Sequence, residues 1–305
     1  MHLSLSLGNI SFPRYEKDFE KTLSDLSPFA VYGATDLMGT GGDIIRLRAG
    51  SSEQDFTEAE LYGSEYTTFV GSDTPYVVKL YDQAGSIDIK SDTEANQPEF
   101  IPSTKSVSFH NTDLLYSDEV SNSGNTEIGG NYTFASKFDQ EFAGTTATAN
   151  LISLYRNSNA GVGFGYGAEH GGNRQQLEFK VTSSSPPTYN VISRSGGSSD
   201  VAAQKASLVN TNSPNAFGFE TAIAKMAGTG TKSIFYKDAT VTNTDTGGFS
   251  TQGSTVTNRI GMVGWKVGST ERAYDYSLVI KASIMFTRVL NDGDTADLKT
   301  ILGAL

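Results

Sequence analysis

From residue 44 to residue 286 the apolar positions mostly alternate with polar ones. "IIRLRA", "YVVKLYD", "SVSFHN", "YTFASKF", "LISLYR", "LEFKVT", "FGFETAI", "SIFYKD" and "SLVIKASIMF" each carry apolar residues at every second place, so each predicts a strand with one buried face. Turn clusters such as "NSGNTEIGGN", "AEHGGNR", "TSSSPPTYN" and "RSGGSSD" separate them. Strands this numerous, with no long helical pattern between them, predict an all-β fold, a two-sheet antiparallel jelly-roll sandwich.

The period changes at the two ends. Tyr15, Phe19, Leu23 and Leu26 recur at helical spacing before Pro28, which predicts a short amphipathic helix. At the other end Leu298, Ile301, Leu302 and Leu305 do the same, behind an N-cap at Asn291 and a carboxylate at Asp294 placed to reach back to free N–H groups. The expected organisation is therefore a helical segment at 1–28, a candidate assembly anchor, followed by one domain at 29–305. No internal repeat or linker-like stretch divides the chain.

Composition agrees with short strands and many turns: 32 Gly, 17 Phe and 14 Tyr in 305 residues, with 19% charged. The net charge of −11 comes with no basic run, which argues against nucleic acid and anionic membranes as partners. There are no cysteines, so disulfides, zinc–thiolate sites and thiol nucleophiles are excluded. The N-terminus lacks the basic start and apolar run of a signal peptide, and no stretch is long and apolar enough to span a bilayer. The expectation is a protein made in a cytoplasm, where the sequons at Asn9 and Asn131 carry little meaning.

Several pieces taken in order resemble a known superfamily: "GGDIIRLRAGSSEQDF", then "YVVKLYDQAG", "ANQPEF", "SVSFHNTDLL" and the closing "IKASIMFTRVLNDGDTADLKTIL". Together they resemble the concanavalin A-like lectin/glucanase superfamily. More narrowly, they resemble the branch with an E-Q-D motif and a later Y-D-Q motif, found in bacteriophage virion proteins and bacterial surface proteins. That branch is similar in pattern to the catalytic domain of the arabinofuranosidase B family. Leu80 stands where an aromatic often precedes Y-D-Q, and Ala84 where a serine often follows. The resemblance implies a concanavalin A-like jelly roll, a fold that hosts lectins, hydrolases and structural modules.

Glu53, Asp55 and Glu58 fall as E-x-D-x-x-E, the order of a catalytic signature in one clan of jelly-roll glycoside hydrolases. Positions i and i+2 of a strand share a face, so Glu53 and Asp55 can converge, whereas Glu58 is an odd number away. The polar, turn-rich surroundings favour a structural reading, with Gln54 and Asp55 satisfying backbone groups at a strand end. Asp82 and Gln83, after a buried strand, are expected to be structural too. Tyr166 in the glycine-alternating "GVGFGYG", His170 behind Glu169, and the lone tryptophan, Trp265, are weak candidates for sugar contact. Glu178 is a further cleft acid to consider. With three histidines, none at ligand spacing from another, a transition-metal site is not expected. Calcium (Ca2+) stays open at 110–119 and 243–248.

The main expectation from these features is a non-enzymatic virion protein, a fibre, decoration or receptor-binding module. It would pair with other virion proteins, form a homo-oligomer (a trimer) and adhere to a bacterial surface glycan. The alternatives are a glycoside hydrolase or polysaccharide depolymerase using paired carboxylates, and a bacterial surface lectin domain.

Overall fold

The computed structural model describes residues 21–305 apart from 122, 124–129, 142–146, 158–173, 182–188, 196–204, 211–217, 228–230, 237–238, 245–256, 268–269 and 274–276. The strands run β1 (Ala30–Gly33), β2 (Asp43–Ala49), β3 (Ser52–Thr57), β4 (Tyr76–Leu80), β5 (Ile89–Lys90), β6 (Glu99–Ile101), β7 (Ser106–Phe109), β8 (Leu115–Ser117) and β9 (Val120–Ser121). Long strands follow: β10 (Asn131–Glu141), β11 (Ala147–Asn157), β12 (Arg174–Val181), β13 (Tyr189–Ser195), β14 (Lys205–Asn210) and β15 (Glu220–Ala227). The series closes with β16 (Thr231–Tyr236), β17 (Ala239–Thr244), β18 (Thr257–Met262), β19 (Gly264–Val267), β20 (Thr270–Ala273) and β21 (Ser277–Phe286). Helices α1 (Glu58–Leu61) and α2 (Ser64–Val70) follow β3, and α3 (Asp292–Gly303) ends the chain.

Pairing is antiparallel throughout and sorts into two layers. In the first, β21 is central: β10 lies on one side and leads through β15 and β16 to β17. Its other side is shared by β1, against Ala282–Met285, and β7, against Leu278–Ile280, with β6 beyond β7. The second layer runs β3, β2, β4, β5, β8, β18, β11, β12, β13, β14. The layers join where Tyr76 of β4 meets Glu99 of β6. An all-β sandwich is therefore the observed fold, as the alternation predicted.

The core between the layers is built on Phe56, Phe100, Phe109, Phe134 and Phe138 with Ile45, Leu47, Leu154 and Ile260, all essentially without exposure. A second cluster sits outside the first layer. There Val31, Ile223, Ile284 and Phe286 meet Leu298 and Leu302 of α3 and Leu23 and Leu26 of the leading segment. β21 serves both clusters because of a bulge. Lys137 pairs with Ala282 while Phe138 pairs with Ile280, so Lys281 is the extra residue. One extra residue inverts the side-chain parity. Leu278 and Ile280 thus face the inter-sheet core, whereas Ala282, Ile284 and Phe286 face α3.

Two local expectations change. The described part of the leading segment is a single 3-10 turn, Ser24–Leu26, and Tyr15 and Phe19 lie outside the described residues. Asn291 caps α3 by accepting from Asp294 N–H at 2.8 Å, as expected. The Asp294 carboxylate, however, takes Arg288 at 2.9 Å and Lys21 at 3.0 Å, and so ties α3 to both flanks.

Candidate functional site

Paired residues of adjacent strands share a face, and the register of the second layer places one polar row across it. Asp55 of β3 pairs with Arg46 of β2, Arg46 with Lys79 of β4, Lys79 with Lys90 of β5, and Lys90 with Tyr116 of β8. Their neighbours Phe56, Leu47, Leu80, Ile89 and Leu115 are buried on the opposite, core-facing side. Tyr116 pairs onward with Gly261 of β18, and Gly261 with Ser153 of β11. At that end the β19–β20 hairpin covers the row: Tyr155 Oη accepts from the backbone N–H of Lys266 at 2.8 Å. The outer face is thus open over β3, β2, β4 and β5 and walled by a hairpin at β8.

At the open end Asp55 is the centre of a charged group. Arg46 grips it with two bonds, Nε to Oδ1 at 2.6 Å and Nη2 to Oδ2 at 2.8 Å, and Tyr81 Oη donates to Oδ1 at 2.7 Å. The Arg46 bond outweighs partial burial, with Tyr81 adding to it, and holds the Asp55 carboxyl below its ordinary value. Tyr81 is pushed up to about 12 by burial and by its bond to that carboxylate. Asp43 pairs with Thr57, two residues from Asp55 on the same face of β3. It is therefore the diagonal neighbour of Asp55, at roughly 7–8 Å. Burial, then the charges of Asp55 and Glu60, push the Asp43 carboxyl up, with Arg46 pulling the other way. Two carboxyls on one accessible face thus have environments that drive them apart, the arrangement that separates an acid from an ionised carboxylate.

The remaining residues of the 53–58 motif do not join this pair. Glu53 is exposed at the strand's start, opposite Arg48. Glu58 opens α1, where Oε2 accepts from Asp36 N–H at 2.9 Å and Oε1 meets Lys105 at 3.3 Å. Asp55 does not serve backbone groups at a strand end, as the sequence suggested; its partners are two side chains in mid-strand. Arg46, Tyr81 and Asp43 were missed, although a signal was present. Read as a two-residue hairpin turn, Gly50-Ser51 puts Arg46 opposite Asp55 and Arg48 opposite Glu53.

Within the Y-D-Q motif Tyr81 joins the charged group at Asp55, whereas Asp82 and Gln83 are structural. Asp82 accepts from the backbone N–H of Val31, Ala84 and Ile87 at 3.0, 3.0 and 3.2 Å. Gln83 accepts from Leu37 N–H at 2.8 Å and donates to the carbonyls of Gly33 and Thr35 at 3.2 and 2.9 Å. The pair thereby pins β1 and the loop after it to the end of β4. Tyr166 and His170 lie outside the described residues, and of Trp265 only the backbone is described, pairing with Arg272 across the hairpin. Glu178 pairs with Asn150 and Ile192 through its backbone in β12. Among the described residues no group of three or more His, Cys, Asp or Glu is placed to hold a metal ion. Within 110–119, Asp113 accepts from the His110 backbone N–H at 2.7 Å, and residues 245–248 lie outside the description.

A second charged group stands at the walled end. Tyr116 Oη lies 2.6 Å from Glu271 of β20 and 2.9 Å from Asp92, and it accepts from Lys266 Nζ of β19 at 2.8 Å. Lys266 also reaches Asp92 at 3.1 Å, and Asn96 donates to Glu271 at 2.7 Å. Burial raises both carboxyls, but these bonds outweigh it and leave both below their ordinary values. Both are therefore ionised at neutral pH, and with only one phenolic proton to share, Lys266 holds the group together. This group has no member poised as an acid.

Neither a protein-family model nor a curated protein matches the sequence. Solved structures do match in fold. A GH54 α-L-arabinofuranosidase soaked with a cyclic sulfate inhibitor superposes with a TM-score of 0.56 at 13% identity. A mutant of a GH54 α-L-arabinofuranosidase soaked with 4-nitrophenyl α-L-arabinofuranoside gives 0.58 at 12%, and an arabinofuranosidase complexed with arabinofuranosyl-α-1,2-xylobiose gives 0.54 at 12%. In each the match covers 91% of this chain and 62% of the other, so the chain spans about three fifths of their length. A Trypanosoma rangeli sialidase in complex with sialic acid also matches, at a TM-score of 0.43 and 13% identity, over 74% of this chain and 31% of that one. The arabinofuranosidase side of the resemblance is thus matched in fold. The expectation of a non-enzymatic virion protein is corrected by this finding: the similar solved structures reported above are arabinofuranosidases, and the likeness to them is one of fold.

Proposed function

We propose that the chain is a glycoside hydrolase domain whose reacting carboxyls are Asp43 and Asp55. The observation that carries this reading is the divergence of the two environments on one accessible sheet face, Asp43 raised and Asp55 lowered. The similarity in fold to arabinofuranosidases supports it.

In this reading Asp43 keeps a proton to higher pH and gives it to the leaving glycosidic oxygen. Asp55 stays ionised. Its Oδ1 is occupied by Arg46 and Tyr81, while Oδ2 carries one bond and keeps a lone pair for the reaction. The diagonal spacing of roughly 7–8 Å suits a water between carboxylate and sugar, the geometry of inversion, where the carboxyls stand roughly 6.5–9.5 Å apart. Arg46 and Tyr81 orient Asp55 and are positioning residues.

The test is glycan hydrolysis by the purified protein, using 4-nitrophenyl α-L-arabinofuranoside, arabinoxylan and a panel of other neutral polysaccharides. Asp55→Asn and Asp43→Asn are expected to lower kcat/KM by about 100-fold or more with an unchanged circular dichroism spectrum. Asp43→Asn is also expected to remove the alkaline limb of the pH–rate profile, which falls in the wild type as Asp43 ionises. Release of no sugar from any substrate, or full activity in both variants, overturns the proposal.

A further inference from the structure

We infer that the outer face of the second sheet binds a long, neutral glycan chain that runs across the strands from Asp55 to the β19–β20 hairpin, where Asp92, Lys266 and Arg259 form a second contact zone. The inference rests on the proposed reaction site at Asp43 and Asp55 for one end of this track.

The register provides the track. Asp55, Arg46, Lys79, Lys90 and Tyr116 occupy consecutive strands. Four steps between strands span about 19 Å, too far for a single sugar to touch both ends. The side chains of Asp55, Arg46, Lys79 and Lys90 keep 33%, 35%, 24% and 30% exposure, whereas Tyr116 is buried. Asp92 at the far end keeps 50%.

A second observation at the far end points to a ligand. Arg259 is 8% exposed. Its Nη1 donates to Ser117 O at 2.6 Å and its Nη2 to Glu119 at 3.2 Å, with the guanidinium 5.8 Å from the centre of the Tyr116 ring. Its Nε has no partner. A buried donor left unmet costs on the order of 1–3 kcal/mol; because Tyr116 is itself buried, a sugar hydroxyl becomes the missing acceptor only when the Tyr116 ring or the β19–β20 hairpin shifts aside.

Charge pairing selects the class of chain. Each cation of the face has its own carboxylate: Arg46 with Asp55 at 2.6 Å, Lys79 with Asp88 at 3.4 Å, Lys90 with Asp118 at 3.1 Å and Lys266 with Asp92 at 3.1 Å. A polyanionic glycan would have to displace those carboxylates, and the net charge of −11 would repel it. A neutral, hydroxyl-rich chain can bond to both members of every pair without breaking any.

The test separates binding from hydrolysis. Asp43→Asn protein, in which turnover is suppressed, is titrated calorimetrically with short and long fragments of arabinoxylan, a β-glucan and a galactomannan, and with polygalacturonate. At least one neutral series is expected to tighten tenfold or more from short to long fragments, and polygalacturonate is not expected to compete. Asp92→Ala or Lys90→Ala, added to that protein, is expected to return long fragments to the affinity of short ones. Two variants are used so that a loss of fold in one, seen by circular dichroism, leaves the other to decide. Equal affinity for all lengths, binding of none of the neutral series, preference for polygalacturonate, or long-chain affinity unmoved by both variants overturns the inference. Length-dependent binding in a wild-type protein that releases no sugar sinks the hydrolase reading and leaves this one standing.

Discussion

Asp55 shows how one residue's meaning depends on what faces it. The E-x-D-x-x-E order gave it two acidic companions in sequence, Glu53 and Glu58, but in space its partners are Arg46 and Tyr81. Asp113 shows the opposite case. It is largely enclosed, and burial first, with the charge of Glu99, pushes its carboxyl up to about 6 against the pull of the His110 N–H. A carboxyl raised above its unfolded value of 3.8 favours folding when protonated. Its contribution is therefore fully present below about pH 4 and is lost as the pH rises through about 6. Asp113→Asn keeps an acceptor for His110 without the charge, so it is expected to raise Tm at pH 7 by about 2 °C, as roughly 1 kcal/mol does in a domain of this size. Thermal melts of both proteins from pH 4 to pH 7 check this; equal pH slopes would refute it.

At the scale of elements, the two helices after β3 were hidden in a stretch that reads as polar and turn-rich. Their start is a capping box: Glu60 N–H donates to Thr57 Oγ1 at 3.3 Å, and Thr57 N–H donates to Glu60 Oε2 at 2.9 Å. The T-x-x-E pattern at 57–60 was legible as such a box. Thr57→Ala removes the cap and is expected to cost about 1 kcal/mol, read as a lower midpoint in urea with an unchanged slope. The bulge at Lys281 was not legible. The alternation of 278–286 is unbroken as a string, and only pairing with β10 shows that a residue is skipped. Two packed surfaces, the inter-sheet core and the α3 face, decide that parity, and neither is visible along one strand.

At the scale of the molecule, the walled end of the outer face depends on how the hairpin β19–β20 lies on the second sheet. Gly261 makes the close approach possible: a Cβ there would stand 2.6 Å from Gly264 O and 2.7 Å from Tyr155 Cε1. One of those obstacles is backbone and the other a fully packed ring, so neither can yield cheaply. Gly261→Ala is expected to destabilise the fold by about 1–3 kcal/mol, measured by thermal melting. An unchanged Tm would mean that the hairpin can lift without cost.

The sequence by itself determined the fold class, because a period of two repeated over many segments can bury an apolar face only in sheets. It also determined the terminal helix and the structural cast of Asp82 and Gln83. Only the tertiary structure decided which carboxyls share a face. Asp43 and Asp55 are twelve positions apart, and what brings them together is the register of one hairpin; Tyr116, Asp92, Lys266 and Glu271 are drawn from β8, a loop and the hairpin β19–β20. Register is set by packing on the buried side of each strand, so the chemistry of the exposed side follows from contacts that local sequence does not encode.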